Sequence, residues 1–221
     1  FATGFRYDLA RVGEICRARD MLLVVDVTQG FGAFPIDVQR GGIDALVFSC
    51  YKWTTAGYGI APLYVRKEIL ESRALPLVGW RSARVPYDLV SNRLDLTSEA
   101  RGLELGHMPF AGVFALGGAL RLLEEIGLHN IEARVQELTD DLHLRMADLG
   151  VELLSPRERE RRSGITVLDV PESKRVATRL QERNIFVAAR RNGLRVALHF
   201  YNDHDDIDRF TVAMTDFLNE G

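Results

Sequence analysis

An α/β fold is predicted, followed in the chain by a smaller α+β unit. Three observations predict it. Nearly continuous apolar runs at 21–27 and 43–51 read as strands buried on both faces, the habit of parallel sheets. A helix-period segment precedes the first run, so helix and buried strand alternate, which favours a layered architecture with a mainly parallel sheet. Beyond about residue 125 the pattern changes to a long helix, then short strands mixed with helices. The division is therefore placed at 1–125 and 126–221.

Leu9, Val12, Ile15 and Cys16 recur at helical spacing and place a helix from about Tyr7 to Arg19. Met21 to Val27 is the first strand, with Asp26 near its end. Gly30, Gly32 and Pro35 mark a turn or loop. Ile43 to Tyr51 is the second strand, and Ala61 to Val65 the third, after a turn at Gly57-Tyr58-Gly59. Residues 71–109 carry Pro76, Gly79, Pro86, Gly102, Gly106 and Pro109 and read as an extended loop region. Loops of that length inside a compact domain are usually functional.

Val113, Leu116, Leu120 and Leu123 then line one face of a helix that Gly127 ends. Ile131, Val135, Leu138, Leu142, Met146 and Leu149 define a second helix, stopped by Gly150. Strands are predicted at Val151–Leu154, Ile165–Val170, Ile185–Ala189 and Leu194–Tyr201, with a helix at Ser173–Arg183. A last helix presents Ile207, Phe210, Met214 and Phe217 and takes Asn202 or Asp203 as its cap. The charged run Arg157 to Arg162 reads as a solvated loop.

Composition narrows the function. Net charge is -3 and no long basic run exists, so nucleic acid and membrane surfaces are poor candidates as main partners. No apolar stretch reaches the roughly 20 residues that span a bilayer. Cys16 and Cys50 lack metal-ligand spacing and fit a reducing, cytoplasmic setting. No metal is expected. The chain opens on Phe1 in mid-structure, so a portion of a longer protein is expected.

Lys52 is the most informative residue. It closes one buried run, while Asp26 and Gln29 close another. In an open α/β sheet, ligands collect beyond the carboxyl ends of the strands. A lysine there beside a carboxylate suggests a Schiff-base lysine holding pyridoxal phosphate. That chemistry needs an amine to form an imine and an acid to keep the pyridine nitrogen protonated. It also needs donors for the phosphate and an arginine fork for a substrate carboxylate. Plainer readings compete: Asp26 as a turn aspartate, Lys52 as a surface lysine, Gln29 as a turn cap, Ser49 and Tyr51 as packing residues.

The stretches Val25-Asp26-Val27-Thr28-Gln29 and Asp44 to Trp53, with Gly57 and Gly59 following, resemble the class V aminotransferase family. So do Gly79-Trp80-Arg81, Glu104-Leu105-Gly106-His107 and Leu194 to Asn202. The likeness runs in order through nearly the whole chain. It implies fold type I: residues 1–125 as the C-terminal part of the large pyridoxal-phosphate-binding domain, and 126–221 as the small domain. It implies Lys52 as the imine-forming lysine, Asp26 on the pyridine nitrogen and Gln29 on the ring's phenolic oxygen. Ser49 and Tyr51 would hold the phosphate. Tyr51 stands where desulfurases have histidine and kynureninases have tyrosine. Arg195 would take the α-carboxylate of an amino acid substrate, with Arg190 and Arg191 as competitors. His107 and Trp80 would reach a phosphate across the interface of a homodimer; Trp80 reads equally as an interface or core aromatic.

Two departures bear on function. Desulfurases place a nucleophilic cysteine on a mobile loop before the carboxylate-binding arginine, and residues 188–193 hold none. Cys50 lies in a strand and reads as packing. The family's stacking aromatic and phosphate-cradling turn come from segments before this chain's start, so they belong to a separate chain or to the rest of the natural protein. An epimerase, aminotransferase or lyase acting through an external aldimine and a Cα carbanion is the leading expectation. A kynureninase-like hydrolase is the nearest enzymatic rival, and a non-catalytic interaction module of the same fold is the rival from another class.

Overall fold

The computed structural model describes residues 1–221 except 90, 91, 94, 191, 192, 220 and 221. The chain forms two compact units. One comprises residues 9–31 and 36–125; the other comprises 1–8, 32–35 and 126–221.

In the first unit, α1 (Leu9–Arg17) leads into β1 (Val24–Asp26), which pairs in parallel with β2 (Ala45–Val47). β3 (Leu63–Val65) joins β2 antiparallel. A parallel partner needs a crossover that carries the chain back across the sheet, and the segment between β2 and β3 makes none. The chain turns back within the segment that follows Cys50, where the Ala56 N–H donates to the Cys50 carbonyl. Phe48 and Cys50 N–H groups then donate to Pro62 and Ile60, extending the antiparallel contact.

The paired segments are shorter than the apolar runs. Leu23, Val27, Ile43, Phe48 and Cys50 lie outside the ladders yet are buried with Leu46 in one core. Apolar character follows burial rather than pairing. Burial on both faces fails at β1, where Val24 is 66 % exposed. α2 (Lys67–Ser72) is a short helix overlapping the start of the predicted loop. From 73 to 109 the described residues form only short 3-10 turns and an isolated bridge from Ala83 to Leu96, as an extended loop region requires. α3 (Phe110–Ile126) follows.

In the other unit, Gly127 separates α3 from α4 (Leu128–Asp148) with a φ of 86°, a left-handed geometry that glycine adopts at no steric cost. β4 (Ile165–Leu168), α5 (Ser173–Glu182), β5 (Ala188–Arg190), β6 (Gly193–Ala197) and α6 (His204–Asn219) complete it. The sheet order is β4-β6-β5, antiparallel throughout. Leu138, Leu142 and Met146 of α4 pack with Leu168, Leu194, Val196, Ile207, Phe210 and Met214 in its core. Asp203 caps α6: its carboxylate accepts the Asp206 N–H at 2.9 Å. The strand predicted at 151–154 shrinks to a bridge between Leu153 and Leu168. The Ser155 hydroxyl, not a strand carbonyl, accepts the Val167 N–H.

In the charged run, residues 157–161 are exposed as expected, and Arg162 is the correction. Arg162 is 3 % exposed. Its Nε donates to the Gln136 side-chain oxygen at 2.7 Å, and it pairs with Asp140 and donates to the carbonyls of Gln136 and Arg157. A guanidinium only donates, so its 3.4 Å contact makes His143 Nδ1 an acceptor. His143 Nε2 then carries the proton toward the Thr166 hydroxyl, 2.9 Å away. Burial, then the Arg162 charge, lowers the His143 pKa from 6.5 to about 4.

A depressed histidine pKa favours the neutral folded form. Its stability contribution is full above about 6.5 and is lost as pH falls through about 4, because the unfolded chain binds the proton first. His204, held by Asp141 and Glu137, is shifted upward and works in the opposite sense. Urea titrations of wild type and His143→Gln between pH 7 and 4 isolate the first effect. Wild type is expected to lose on the order of 2 kcal/mol more than the variant over that window.

Candidate active site

β1 and β2 run parallel, so their carboxyl ends open on the same edge of the first unit's sheet. Asp26 is the last residue of β1. Ser49, Cys50, Tyr51 and Lys52 lie just past the end of β2. Thr28 ties the two ends together. Its hydroxyl oxygen accepts the Ser49 N–H at 2.9 Å, and its own N–H donates to Asp26 Oδ1 at 2.8 Å. Hydrogen bonds from the Thr28 side chain and backbone hold the Asp26 carboxyl below its usual range, and the positive charge of Lys52 lowers it further. Asp26 is therefore an Asx-turn residue, the plainer of the two readings, and one whose carboxyl also feels the Lys52 charge.

The remaining groups of this edge are oriented by aromatic neighbours. The Trp53 indole N–H donates to Gln29 Oε1 at 3.2 Å, which leaves the amide NH2 of Gln29 as the donor end. Tyr51 stacks on Tyr58, with ring centroids 4.7 Å apart and planes 11° from parallel. The Lys52 ammonium sits 5.5 Å from the Tyr51 ring centroid. Cys50 points the other way: it is fully buried with Leu46 and Phe48, and burial pushes its thiol pKa up. Thr28, Trp53 and Tyr58 were missed by the sequence reading. The Asp-x-Thr spacing of 26–28 is a signal that could have found the first.

The motifs 79–81 and 104–107 pack on each other. Arg81 donates twice to Glu104 Oε2, at 3.1 and 2.8 Å. Trp80 and His107 meet edge to face at 5.0 Å. A Cβ at Gly79 would fall 1.8 Å from the Leu105 carbonyl oxygen, so only glycine allows the approach. Tyr87 joins the ring cluster at 5.3 Å from Trp80. Trp80 and His107 make no hydrogen bond or ring contact with Asp26, Gln29, Ser49, Tyr51 or Lys52 among the described residues.

Arg195 stands on β6 in the other unit. One of its terminal nitrogens donates to the Phe1 carbonyl at 3.2 Å, and its Nε is buried with no partner. Burial and the neighbouring Arg190 charge lower its pKa. Arg191, named as a competitor, lies outside the described residues.

Comparison with known proteins gives the family and the fold. The family model "Aminotransferase class-V" matches residues 2–210. The chain belongs to the class-V aminotransferase family. An uncharacterized aminotransferase of Bacillus subtilis, YcbU, is 28 % identical over 94 % of this chain and 54 % of its own length. The kynureninase of Bacillus anthracis is 24 % identical over 100 % of this chain and 53 % of its own. The apo structure of the cysteine desulfurase from Thermococcus onnurineus NA1 superposes with a TM-score of 0.91 at 24 % identity, covering 100 % of this chain and 58 % of that one. The chain thus spans about half the length of the curated relatives it matches. Its architecture is that of fold type I.

The family's cofactor is pyridoxal phosphate, and the residues present fit it. Asp26, with its pKa lowered, is a carboxylate of the kind that would serve as counter-charge to a protonated pyridine nitrogen. Gln29 offers an oriented donor on the same sheet edge. Thr28→Val should remove the tie between the strand ends. The Asp26 carboxyl pKa is expected to rise, since it loses the hydrogen bond of the Thr28 side chain; a carboxyl-carbon NMR titration reads it.

Proposed function

We propose that the parent protein is a pyridoxal-phosphate-dependent enzyme acting on an amino acid. The observation that carries this reading is geometric: parallel β1 and β2 end on the same side of one sheet, where Thr28 ties the Asp26 carboxyl to the Ser49 backbone that leads to Lys52. When bound, the cofactor supplies an electron sink for a carbanion at the substrate Cα. Lys52 would be the amine that anchors the cofactor's aldehyde and, as a free amine, would move the substrate Cα proton as general base. Asp26 stays charged and keeps the pyridine nitrogen protonated. The Gln29 amide donates to the phenolic oxygen. Ser49 and Tyr51 donate to the phosphate, with Tyr58 bracing the Tyr51 ring. Arg195 binds the substrate α-carboxylate. His107 and Trp80 serve the phosphate from across a homodimer interface.

The reaction is proposed as epimerase, aminotransferase or lyase type. The lack of a cysteine in 188–193 and the burial of Cys50 in a core argue against a persulfide route. A kynureninase-like hydrolysis is the second reading, favoured by Tyr51 and by the kynureninase relative. Residues 1–125 are proposed as part of the large domain and 126–221 as the small one. Among the described residues no helix is long and apolar enough to cross a membrane, and a cytoplasmic location is part of the proposal.

Absorbance of the full-length protein with added pyridoxal phosphate tests the reading. Wild type is expected to show the visible or near-ultraviolet band of a Schiff base on this cofactor. Lys52→Ala should abolish it; equal spectra would end the catalytic reading. Asp26→Asn should keep the band and slow Cα-proton exchange by about 100-fold or more. Arg195→Ala should keep the band and weaken amino acid binding by about 2 kcal/mol.

A further inference from the structure

The antiparallel register of β5 and β6 sets Ala188 opposite Arg195 and Arg190 opposite Gly193. Side chains alternate along a strand, so Arg190 and Arg195 share one face of the sheet as diagonal neighbours, about 7–8 Å apart at Cβ. Gly193 carries no side chain opposite Arg190, and the Leu168 carbonyl packs where a Cβ there would lie. Like charges so placed repel. In this unit such cations are ordinarily matched: Arg6 pairs with Glu132, Arg145 with Asp141 and Arg183 with Asp216. Among the described residues neither Arg190 nor Arg195 meets a carboxylate. Arg190 donates only to the Ala189 carbonyl, and Arg195 only to that of Phe1. The Arg195 Nε is buried and unsatisfied. A buried donor without an acceptor costs free energy that an arriving anion recovers.

We propose that Arg190 and Arg195 form a two-cation site selecting an amino acid with a second anionic group, a carboxylate or a phosphate, on its side chain. This rests on the reading of Arg195 as the α-carboxylate clamp. That carboxylate has two oxygens and saturates one planar fork. Arg190 then remains for the side-chain anion, and the dianion offsets the repulsion between the two guanidiniums. Neutral amino acids would leave Arg190 uncompensated.

The test uses isosteric pairs on the full-length protein loaded with pyridoxal phosphate: aspartate against asparagine, glutamate against glutamine, phosphoserine against serine. Spectral titration gives each Kd. At least one anionic member is expected to bind about tenfold or more tighter than its neutral partner, and the preferred pair separates carboxylate from phosphate. Arg190→Gln is expected to erase that gap, with the loss confined to the anionic member. Arg195→Gln is expected to weaken both members. In the apoprotein, succinate should raise the thermal midpoint more than butyrate at equal ionic strength, and Arg190→Gln should remove the difference. No charge preference in wild type, or a gap untouched by Arg190→Gln, overturns this proposal alone. Indifference of all binding to Arg195→Gln overturns the clamp reading beneath it.

Discussion

The candidate site depends on one threonine. Parallel pairing brings the ends of β1 and β2 to the same edge, but pairing alone leaves their following residues free to diverge. Thr28 removes that freedom. It binds the Asp26 carboxyl with its backbone and side chain and accepts the Ser49 N–H with its hydroxyl oxygen. The backbone that leads to Lys52 is thereby anchored to the backbone that ends in Asp26. Acid and amine, 26 residues apart in sequence, are positioned by a hydroxyl that belongs to neither's chemistry.

A second pairing of distant segments explains why two short motifs occur together. Gly79-Trp80-Arg81 meets Glu104-Leu105-Gly106-His107 at three successive points: backbone against backbone at Gly79, ring against ring at Trp80, and charge against charge at Arg81. Ser82 adds a hydrogen bond to the Gly102 carbonyl at 2.6 Å. Arg101 binds the carbonyls of 81, 83 and 84. A long segment without regular structure must satisfy its polar backbone some other way, and here arginine and serine side chains do so.

What the sequence made legible follows the range of the interactions involved. Helices with a sustained apolar period were readable to within a few residues, because each face is a local pattern; α4 and its buried Ile131, Val135, Leu138, Leu142 and Met146 are the clearest case. Asp26 and Lys52 were legible as strand-end groups. Thr28 and Trp53 were not, since their roles lie in partners more than twenty residues away. Arg162 failed for the same reason: beside Glu158, Arg159, Glu160 and Arg161 it looks solvated, and only Gln136, Asp140 and His143 on α4 reveal a buried fork. Val24 failed in the opposite direction, an apolar residue in an apolar run that remains exposed.

The order of influences on Asp26 has a consequence for catalysis. Its acidity owes most to the hydrogen bonds from Thr28 and least to the Lys52 charge. On the proposed reading, Lys52 serves as covalent anchor and then as base, so it must change its protonation during turnover. Were Asp26 held anionic mainly by that ammonium, each loss of the lysine charge would loosen the acid's hold on its own proton balance. Fixed hydrogen bonds from Thr28 do not titrate in this range. The carboxylate can therefore remain charged while the amine opposite it cycles, so one small edge can carry a constant negative group and a variable basic one.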